Sequence, residues 1–182
     1  MNWQLLVQAL DYYKSKGFTP IEVPWIVPNK IADYTLPEER KQDNLFKLRN
    51  AQTIIGSAEQ GFIELYLYNK LPEKHHVALS PCFRDEPVID MWHQTHFMKV
   101  ELFSKYDTKS DLENMIVTAE SWFKTIGLNT NRVHINDNQM DLCYNNIELG
   151  SYGIRTIESK TFIYGTGHAE PRTTLIKNQI LL

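Results

Sequence analysis

The most informative stretch of the sequence is residues 80–103, SPCFRDEPVIDMWHQTHFMKVELF. Its last seven residues alternate in a way that predicts a strand, because side chains two positions apart in a strand share a face. One face of that strand carries Phe97, Lys99 and Glu101. The preceding residues 75–87, HHVALSPCFRDEP, predict a second strand that enters a turn at Pro87. The two strands are joined by a short loop.

Helical patterns flank this pair of strands. Residues 3–13 and 111–126 carry apolar side chains at helical spacing, and residues 58–71 are a third helical candidate. Ser110 and Glu113 predict a capping box at the start of the second of these helices. Further short strands are predicted by RVHIN, NNIELGSYG and KTFIYG, and a final helix by TTLIKNQILL.

Two segments near the N-terminus lack these patterns. Residues 18–28, FTPIEVPWIVP, contain three prolines, which remove backbone donors and predict an extended segment or an edge strand. Residues 30–50 are polar and predict a loop or a small hairpin.

The order of these elements predicts the fold class. Strands and helices are interleaved, and the early strands are half-buried, as in an antiparallel sheet with helices packed on it. The expected fold is α/β, more closely α+β, with an antiparallel sheet flanked by helices. At 182 residues the chain is expected to form a single compact domain over residues 1–182.

Composition excludes several classes of protein. Hydrophobic residues make up 42% and charged residues 23%, which are values of a globular chain rather than a disordered one. A net charge of −3 argues against a broad electrostatic grip on nucleic acid, although a local basic path stays possible. No apolar run approaches about 18 residues, so no membrane partner is expected. The N-terminus lacks a signal-peptide pattern, and a cytoplasmic location is expected.

The two cysteines, Cys82 and Cys143, are too few for a disulfide framework. They also lack the paired spacing of a structural zinc site. A three-ligand zinc site from both cysteines and a carboxylate stays open, beside the simpler interpretation of buried cysteines.

The strand pair carries the first group of candidate functional residues. Arg84 and Glu86 are two apart, so a cation and a carboxylate stand side by side on one strand face. An aromatic ring such as Phe97 can stack on a heterocycle, and an arginine can bind phosphate through two parallel hydrogen bonds. Together they suit a nucleotide plus an amine. The simpler alternative is a surface salt bridge beside a half-buried ring.

The stretch IELGSYG carries the second group. Glu148 and Ser151 are three apart, which does not match strand periodicity, but Gly150 permits a bulge that brings both oxygens to one point. A carboxylate and a hydroxyl suit Mg²⁺ that is held mainly by phosphates. The alternative is a plain turn made by Ser151 and Gly153.

The stretch GTGHAEPR carries the third. Gly165 and Gly167 allow close approach of the backbone, and Arg172 lies at the start of a predicted helix, where anions are favoured. A tight turn is the alternative. The phosphate loops GxxxxGK[ST] and GxGxxG are absent from the sequence.

Taken in order, these stretches resemble the catalytic core of class II aminoacyl-tRNA synthetases, and the seryl-type enzymes are the most similar. FTPIEVPWIVP resembles the first class motif, which forms a dimer interface. Residues 56–59, GSAE, resemble the Thr-x-Glu element with Ser57 in place of threonine. SPCFRDE with HFMKVELF resembles the second motif, and GTGHAEPR has the G-[ST]-G-x-A-x-x-R register of the third. The resemblance covers about residues 1–180.

The resemblance implies a set of binding roles and two cofactors, ATP and Mg²⁺. Arg84 and Arg172 would be catalytic, binding the α- and γ-phosphates of ATP. The rest of the ATP site would be Glu86, His93, Phe97 and Glu148. The amino acid would be held by Ser57, Glu59 and Glu101, and the metal by Glu148 and Ser151.

The implied reaction is ATP-dependent amino acid activation, with transfer to an acceptor such as tRNA or a carrier protein. A small amino acid such as serine or glycine is expected, and a homodimer is implied by the first motif. Three departures from the seryl pattern are a shorter loop before Phe97, the HQTHF spacing of His93, and the spacing of Glu148 from Arg155, which is similar to glycyl enzymes. The alternatives are a non-catalytic paralogue that binds nucleotide or amino acid in a regulatory or scaffolding role, and an α/β binding domain with accidental matches.

Overall fold

A seven-stranded sheet organises the fold. The computed structural model describes residues 1–36, 45–106 and 108–180. The strands lie in the order β1-β5-β6-β10-β9-β8-β7, with β1 parallel to β5 and every other pair antiparallel. Their bounds are β1 Thr19–Pro20, β5 His75–Phe83, β6 His96–Ser104, β7 Asn131–Asn136, β8 Gln139–Tyr144, β9 Ile147–Ile157 and β10 Lys160–Glu170. The predicted strand pair is therefore confirmed as β5 and β6, but β5 ends at Phe83. Arg84 and Glu86 follow the strand and do not share a face of it, which corrects that prediction.

Five helices, one of them short, and a small second sheet complete the described chain. The small sheet has the order β2-β4-β3, with β2 Ile26–Pro28, β3 Lys47–Leu48 and β4 Gln52–Ile54. The helices are α1 Trp3–Ser15, the short α2 Asn29–Asp33, α3 Ala58–Leu67, α4 Lys109–Thr125 and α5 Arg172–Ile180. None of the described helices combines the length and apolar character needed to cross a membrane.

The two faces of the large sheet carry two separate apolar cores. Neighbouring strand residues contribute to opposite cores: Leu102 packs with α1 and α4, whereas Phe103 packs under α3. Phe103 stacks between Phe62 and Phe162, at ring-centroid distances of 5.1 and 4.9 Å. Because strand side chains alternate, the same alternation puts Lys99 on the α3 face of the sheet. The strand face that carries Phe97, Lys99 and Glu101 in the sequence analysis is therefore the α3 face.

The structure confirms the mixed α/β class and the antiparallel sheet, and it corrects three details. Strand β8, QMDLCY, was not predicted. Helix α4 begins earlier than the sequence suggested: Thr108 is its N-cap and accepts from the Asp111 amide, so Ser110 and Glu113 do not form the capping box. Residues 30–50 were predicted to be a loop or small hairpin. β3 does form a small hairpin with β4, whereas α2 was not predicted, and residues 37–44 lie outside the described chain.

Candidate active site

Two adjoining cavities lie on the α3 face of the large sheet. The first has a volume of about 510 Å³ and lies between the β5–β6 loop, β6, β9 and the start of α5. The second has a volume of about 300 Å³ and lies between the first turn of α3 and strands β6, β9 and β10. Five residues line both cavities and form a shared wall: Arg84, Glu86, Lys99, Glu148 and Thr166.

All ten site residues predicted from the sequence line these cavities. The first cavity is lined by Arg84, Glu86, His93, Phe97, Glu148 and Arg172. The second is lined by Ser57, Glu59, Glu101 and Ser151, together with Arg84, Glu86 and Glu148. Their assembly in one place is thus observed, whereas the individual roles stay predictions.

Arg84 lies at the junction of the two cavities, directly after β5. Its backbone amide donates to the Thr95 carbonyl at 2.9 Å, which ties the two ends of the β5–β6 loop together. Its Nε donates to the Gly56 carbonyl at 3.3 Å, and its Cζ lies 5.1 Å from the centroid of the Phe97 ring. These contacts are with a neutral carbonyl and a ring, so they leave the positive charge available to an anion.

Arg172 lies across the first cavity, at the first position of α5. Its guanidinium donates to the carbonyls of Glu148 and Trp92, each at 3.3 Å. The Glu148 carboxylate is 3.9 Å from Nη1. Arg172 therefore joins β9 to the β5–β6 loop and adds a second cation to the cavity.

His93 lies on the β5–β6 loop at the mouth of the first cavity. Its Nδ1 is 2.9 Å from Asp90 Oδ1, and the same oxygen accepts from the amides of Trp92 and His93 at 2.7 Å. These hydrogen bonds, led by the one from the His93 ring, lower the pKa of Asp90. The loop therefore carries an Asx-type turn that fixes the position of the imidazole.

Glu101 binds the N-terminus of α3. Its carboxylate accepts from the Ser57 hydroxyl at 2.6 Å and from the Ala58 amide. Lys99 Nζ is 3.5 Å from the same carboxylate, which is 5% exposed. Helix N-termini favour negative charge, so this carboxylate is stabilised where it lies. Both of its oxygens already have donors, and the predicted contact of Glu101 with a substrate ammonium group stays a prediction.

Glu59 and Arg155 form a second charged pair, deeper in the second cavity. Arg155 Nε is 3.3 Å from Glu59 Oε1, but the geometry is not that of a hydrogen bond, and that oxygen is buried without a hydrogen-bond donor among the described residues. Burial raises the pKa of Glu59 to about 7, and the Arg155 charge only partly opposes the rise. Arg155 itself donates to the Tyr34 carbonyl at 2.8 Å and lies 5.0 Å from the centroid of the Tyr164 ring.

A bulge in β9 brings Glu148 and Ser151 to the same face. Leu142 of β8 pairs with Gly150, while the next residue, Cys143, pairs with Glu148, so Leu149 is an extra residue in β9. The extra residue shifts the alternation by one, and positions three apart then face the same side. A Cβ at Gly150 would lie 2.6 Å from the Thr166 carbonyl oxygen, so this close packing requires glycine. The bulge predicted from the sequence is confirmed.

The oxygen atoms around this bulge fit a hard cation. Asp141 is opposite Ser151 in the β8–β9 register, and the Ser151 hydroxyl accepts from Gln139 Nε2 at 3.1 Å. Asp141 Oδ1 is buried without a hydrogen-bond partner among the described residues, and burial followed by the Glu148 charge raises the pKa of Asp141. Among the described residues no group of three or more His, Cys, Asp or Glu side chains could hold a metal alone. Mg²⁺ would therefore need phosphate oxygens as further ligands.

Sequence reasoning missed the place of two charged residues in the site, Lys99 and Arg155. Lys99 was placed on the correct strand face but given no role, and its Nζ is 3.4 Å from the Thr166 hydroxyl. Arg155 was noted only for its spacing from Glu148. Strand alternation alone could have flagged Lys99, whereas Arg155 enters the cavity because of the β9–β10 register.

The structure removes the zinc alternative for the two cysteines. Cys82 is on β5 and Cys143 is on β8, with three strands between them in the sheet. Strands are about 4.8 Å apart, so the two positions are separated by roughly 19 Å. Burial raises the pKa of Cys82 to about 12, as expected for a buried thiol.

Comparison with known proteins identifies the fold. No protein-family model matches the chain. The chain is 27% identical over 142 residues to a serine–tRNA ligase of Staphylothermus marinus, a match that covers 70% of this chain and 31% of that protein. Its structure resembles seryl-tRNA synthetase from Pyrococcus horikoshii complexed with ATP, with a TM-score of 0.78, 21% identity, and coverage of 94% of this chain and 48% of that one.

A second structural likeness has the same class of fold. Pyrrolysyl-tRNA synthetase from Desulfitobacterium hafniense superposes with a TM-score of 0.80 at 14% identity, over 97% of this chain and 69% of that one. The chain spans about a third of the length of the curated relatives it matches. The chain is thus similar in sequence to part of the serine–tRNA ligases, and its fold is that of a class II synthetase catalytic core, as the sequence motifs predicted.

Proposed function

We propose that the protein activates an amino acid with ATP, forming an aminoacyl adenylate and pyrophosphate, as an aminoacyl-tRNA synthetase-type ligase. The observation that carries the proposal is the shared wall: Arg84 faces one cavity with a stacking ring and a second arginine, and another cavity with carboxylates and a helix N-terminus. A nucleotide and an amino acid bound side by side would meet at this arginine.

In the proposed reaction, a carboxylate oxygen of the amino acid attacks the α-phosphorus of ATP. A new P–O bond forms, the bond to the bridging oxygen of the β-phosphate breaks, and pyrophosphate leaves with the electron pair. Arg84 stabilises the charge that develops on the α-phosphate, and Arg172 binds the γ-phosphate of the leaving group. Catalysis of this kind depends on positioning and electrostatics, and needs no nucleophilic side chain.

The adenine is proposed to stack on Phe97, with Glu86 accepting from its amino group and His93 near the phosphates. Mg²⁺, held by Glu148 and Ser151 together with phosphate oxygens, would neutralise phosphate charge. The orphaned oxygen of Asp141 supports this assignment, because a buried carboxylate without a donor is stabilised by a nearby cation. Ser57, Glu59 and Glu101 are proposed to surround the amino acid.

The acceptor and the assembly are further parts of the proposal. The acceptor is a tRNA end or a carrier protein, and the proposed location is the cytoplasm. Exposed apolar side chains on α1 and at the start of β2 support a homodimer. They are Trp3, Val7, Trp25 and Ile26, which are 57%, 49%, 47% and 47% exposed. A monomer mass in light scattering at micromolar concentration would contradict the dimer.

ATP–pyrophosphate exchange tests the proposed function. The assay is run with Mg²⁺ and each of the twenty amino acids in turn, and exchange with one or a few of them is expected. Arg84→Ala is expected to reduce exchange by about 1,000-fold, as the loss of a group that stabilises transition-state charge does. Arg49→Ala is the matched control, because Arg49 is exposed and lines neither cavity.

Two outcomes would contradict the proposal. Silence with every amino acid, alongside measurable ATP binding, would favour the regulatory paralogue. Exchange that survives Arg84→Ala unchanged would refute the role of Arg84.

A further inference from the structure

Arg155 is a cation inside the second cavity to which the proposed reaction gives no role. It lies on β9, its side chain is 26% exposed, and it contacts Glu59, the Tyr34 carbonyl and the Tyr164 ring. A half-buried guanidinium in a small cavity is costly unless it has partners, so its function in this cavity needs an explanation.

The proposed function fixes the direction in which an amino acid lies. Its α-carboxylate must be at the shared wall, beside Arg84, to reach the α-phosphorus. The rest of the molecule then extends into the second cavity, whose lining away from the shared wall includes Ser57, Glu59, Arg155 and Tyr164. Arg155 must therefore meet either the ammonium group or the side chain.

The ammonium group is best received by Glu59. Both oxygens of Glu101 already accept from the α3 N-terminus, whereas Glu59 Oε1 is buried and has no hydrogen-bond donor among the described residues. A substrate ammonium supplies that donor. The guanidinium of Arg155 repels an ammonium group, so Arg155 is left for the side chain.

The charges of this pair favour a negative side chain. Without a ligand, the ionised form of Glu59 balances the charge of Arg155 at 3.3 Å. An ammonium group bound to Glu59 adds one positive charge to the Glu59–Arg155 pair, and the pair with its ligand then has a net charge of +1. A carboxylate on the substrate side chain restores neutrality, whereas a hydroxyl or a hydrogen atom does not.

The geometry of Arg155 suits a carboxylate. The Tyr34 carbonyl and the Tyr164 ring fix the plane of the guanidinium, so little side-chain entropy is lost on binding. A guanidinium has five N–H donors, and the contacts with Tyr34, Glu59 and Tyr164 leave donors for a ligand. We therefore infer that the second cavity selects an amino acid with a side-chain carboxylate, aspartate or glutamate, and that Arg155 determines this specificity by binding that carboxylate.

The wild-type protein provides the first test, which needs no variant. ATP–pyrophosphate exchange is measured with aspartate, glutamate, asparagine, serine, glycine and alanine. The acidic amino acids are expected to exceed the uncharged ones in kcat/KM by on the order of 100-fold, because an unpaired buried charge is left when the carboxylate is missing. A preference for any amino acid that lacks a side-chain carboxylate overturns the inference but leaves the proposed function standing. No exchange with any of the twenty amino acids overturns the proposed function itself.

Variants of Arg155 provide the second test. Arg155→Met is expected to lose on the order of 100-fold in kcat/KM for the acidic amino acid and to change the value for serine only a few-fold. Arg155→Lys keeps the charge and is expected to recover part of the loss, mainly in KM. Arg49→Met is the control. An equal loss for acidic and uncharged amino acids would show a structural role for Arg155 and overturn the assigned one.

Discussion

The two cavities use charge in opposite ways. In the first, the guanidinium groups of Arg84 and Arg172 are held by backbone carbonyls and an aromatic ring, and the closest carboxylate to Arg172 is 3.9 Å away. In the second, the charged groups are paired inside the protein, with Glu101 on the α3 N-terminus and Glu59 beside Arg155. The first cavity thus offers positive charge, and the second offers balanced pairs.

This difference separates attraction from selection. Guanidinium groups that are held mainly by carbonyls keep charge available for any polyanion, which suits a triphosphate but discriminates little among ligands. A buried pair of opposite charges binds best a ligand that keeps the net charge at zero, so it can distinguish one amino acid from another. The comparison therefore favours the first cavity as the source of affinity for the proposed nucleotide and the second as the source of specificity for the proposed amino acid.

The largest expected effect tests the open cations of the first cavity. Arg172→Ala is expected to lower exchange by about 100-fold or more. Water cannot replace a guanidinium that binds phosphate through two parallel hydrogen bonds. Arg172→Lys is expected to recover little, because an ammonium group lacks the fork geometry. Loss of less than about threefold in Arg172→Ala would mean that this cavity does not depend on its second cation.

A smaller effect tests the anchored carboxylate of the second cavity. Glu101→Ala removes the acceptor for the Ser57 hydroxyl and the Ala58 amide and is expected to lower the free energy of unfolding by about 3 kcal/mol. Urea denaturation measures the change, and Glu22→Ala, at an exposed position, is the control. If both variants unfold alike, Glu101 does not stabilise α3, and its carboxylate is free to bind a ligand instead.

The smallest effect tests the Glu59–Arg155 pair through pH. The pKa of Glu59 is about 7 in the folded protein, above its usual value of 4.5, so the folded state binds more protons between these two values. Its contribution to stability is therefore greatest at low pH and is lost as the pH rises through 7. Glu59→Gln removes this dependence, and its stability relative to wild type is expected to rise by about 2 kcal/mol from pH 5 to pH 8.

Urea denaturation of both proteins across that pH range provides the measurement, with Glu22→Gln as the control. A constant difference between wild type and Glu59→Gln would show that Glu59 is ionised at an ordinary pKa. The second cavity would then lack the buried carboxylate with a raised pKa that distinguishes it from the first.

The fold was largely predictable because its main elements follow local patterns. The stripes of α1 and α4 and the alternation of β6 depend on spacing within one element, and each is found where the spacing predicted it. Strand β8 was missed because QMDLCY alternates weakly and is followed by a turn only two residues long. The N-cap of α4 was displaced because Thr108 and Ser110 both suit that position, and sequence cannot choose between them.

The candidate site was predictable only as a set of residues. The order of the motifs grouped Arg84, Phe97 and Arg172. The local pattern of IELGSYG, in contrast, did not predict that the Glu148 charge acts on Asp141. The register of β8 against β9 depends on hydrogen bonds between strands, and only that register places the extra residue of the predicted bulge at Leu149.

The sequence by itself determined that Phe97, Lys99 and Glu101 share one strand face and that Gly150 permits the bulge. It also contained the motifs that resemble the class II synthetases. The tertiary structure alone decided that Glu101 is occupied by a helix N-terminus, that Glu59 has a buried oxygen without a donor, and that Arg155 enters the second cavity. The physical reason is range. Alternation and capping depend on neighbours a few residues apart, whereas the charge balance of a cavity depends on strands and helices brought together from distant parts of the chain.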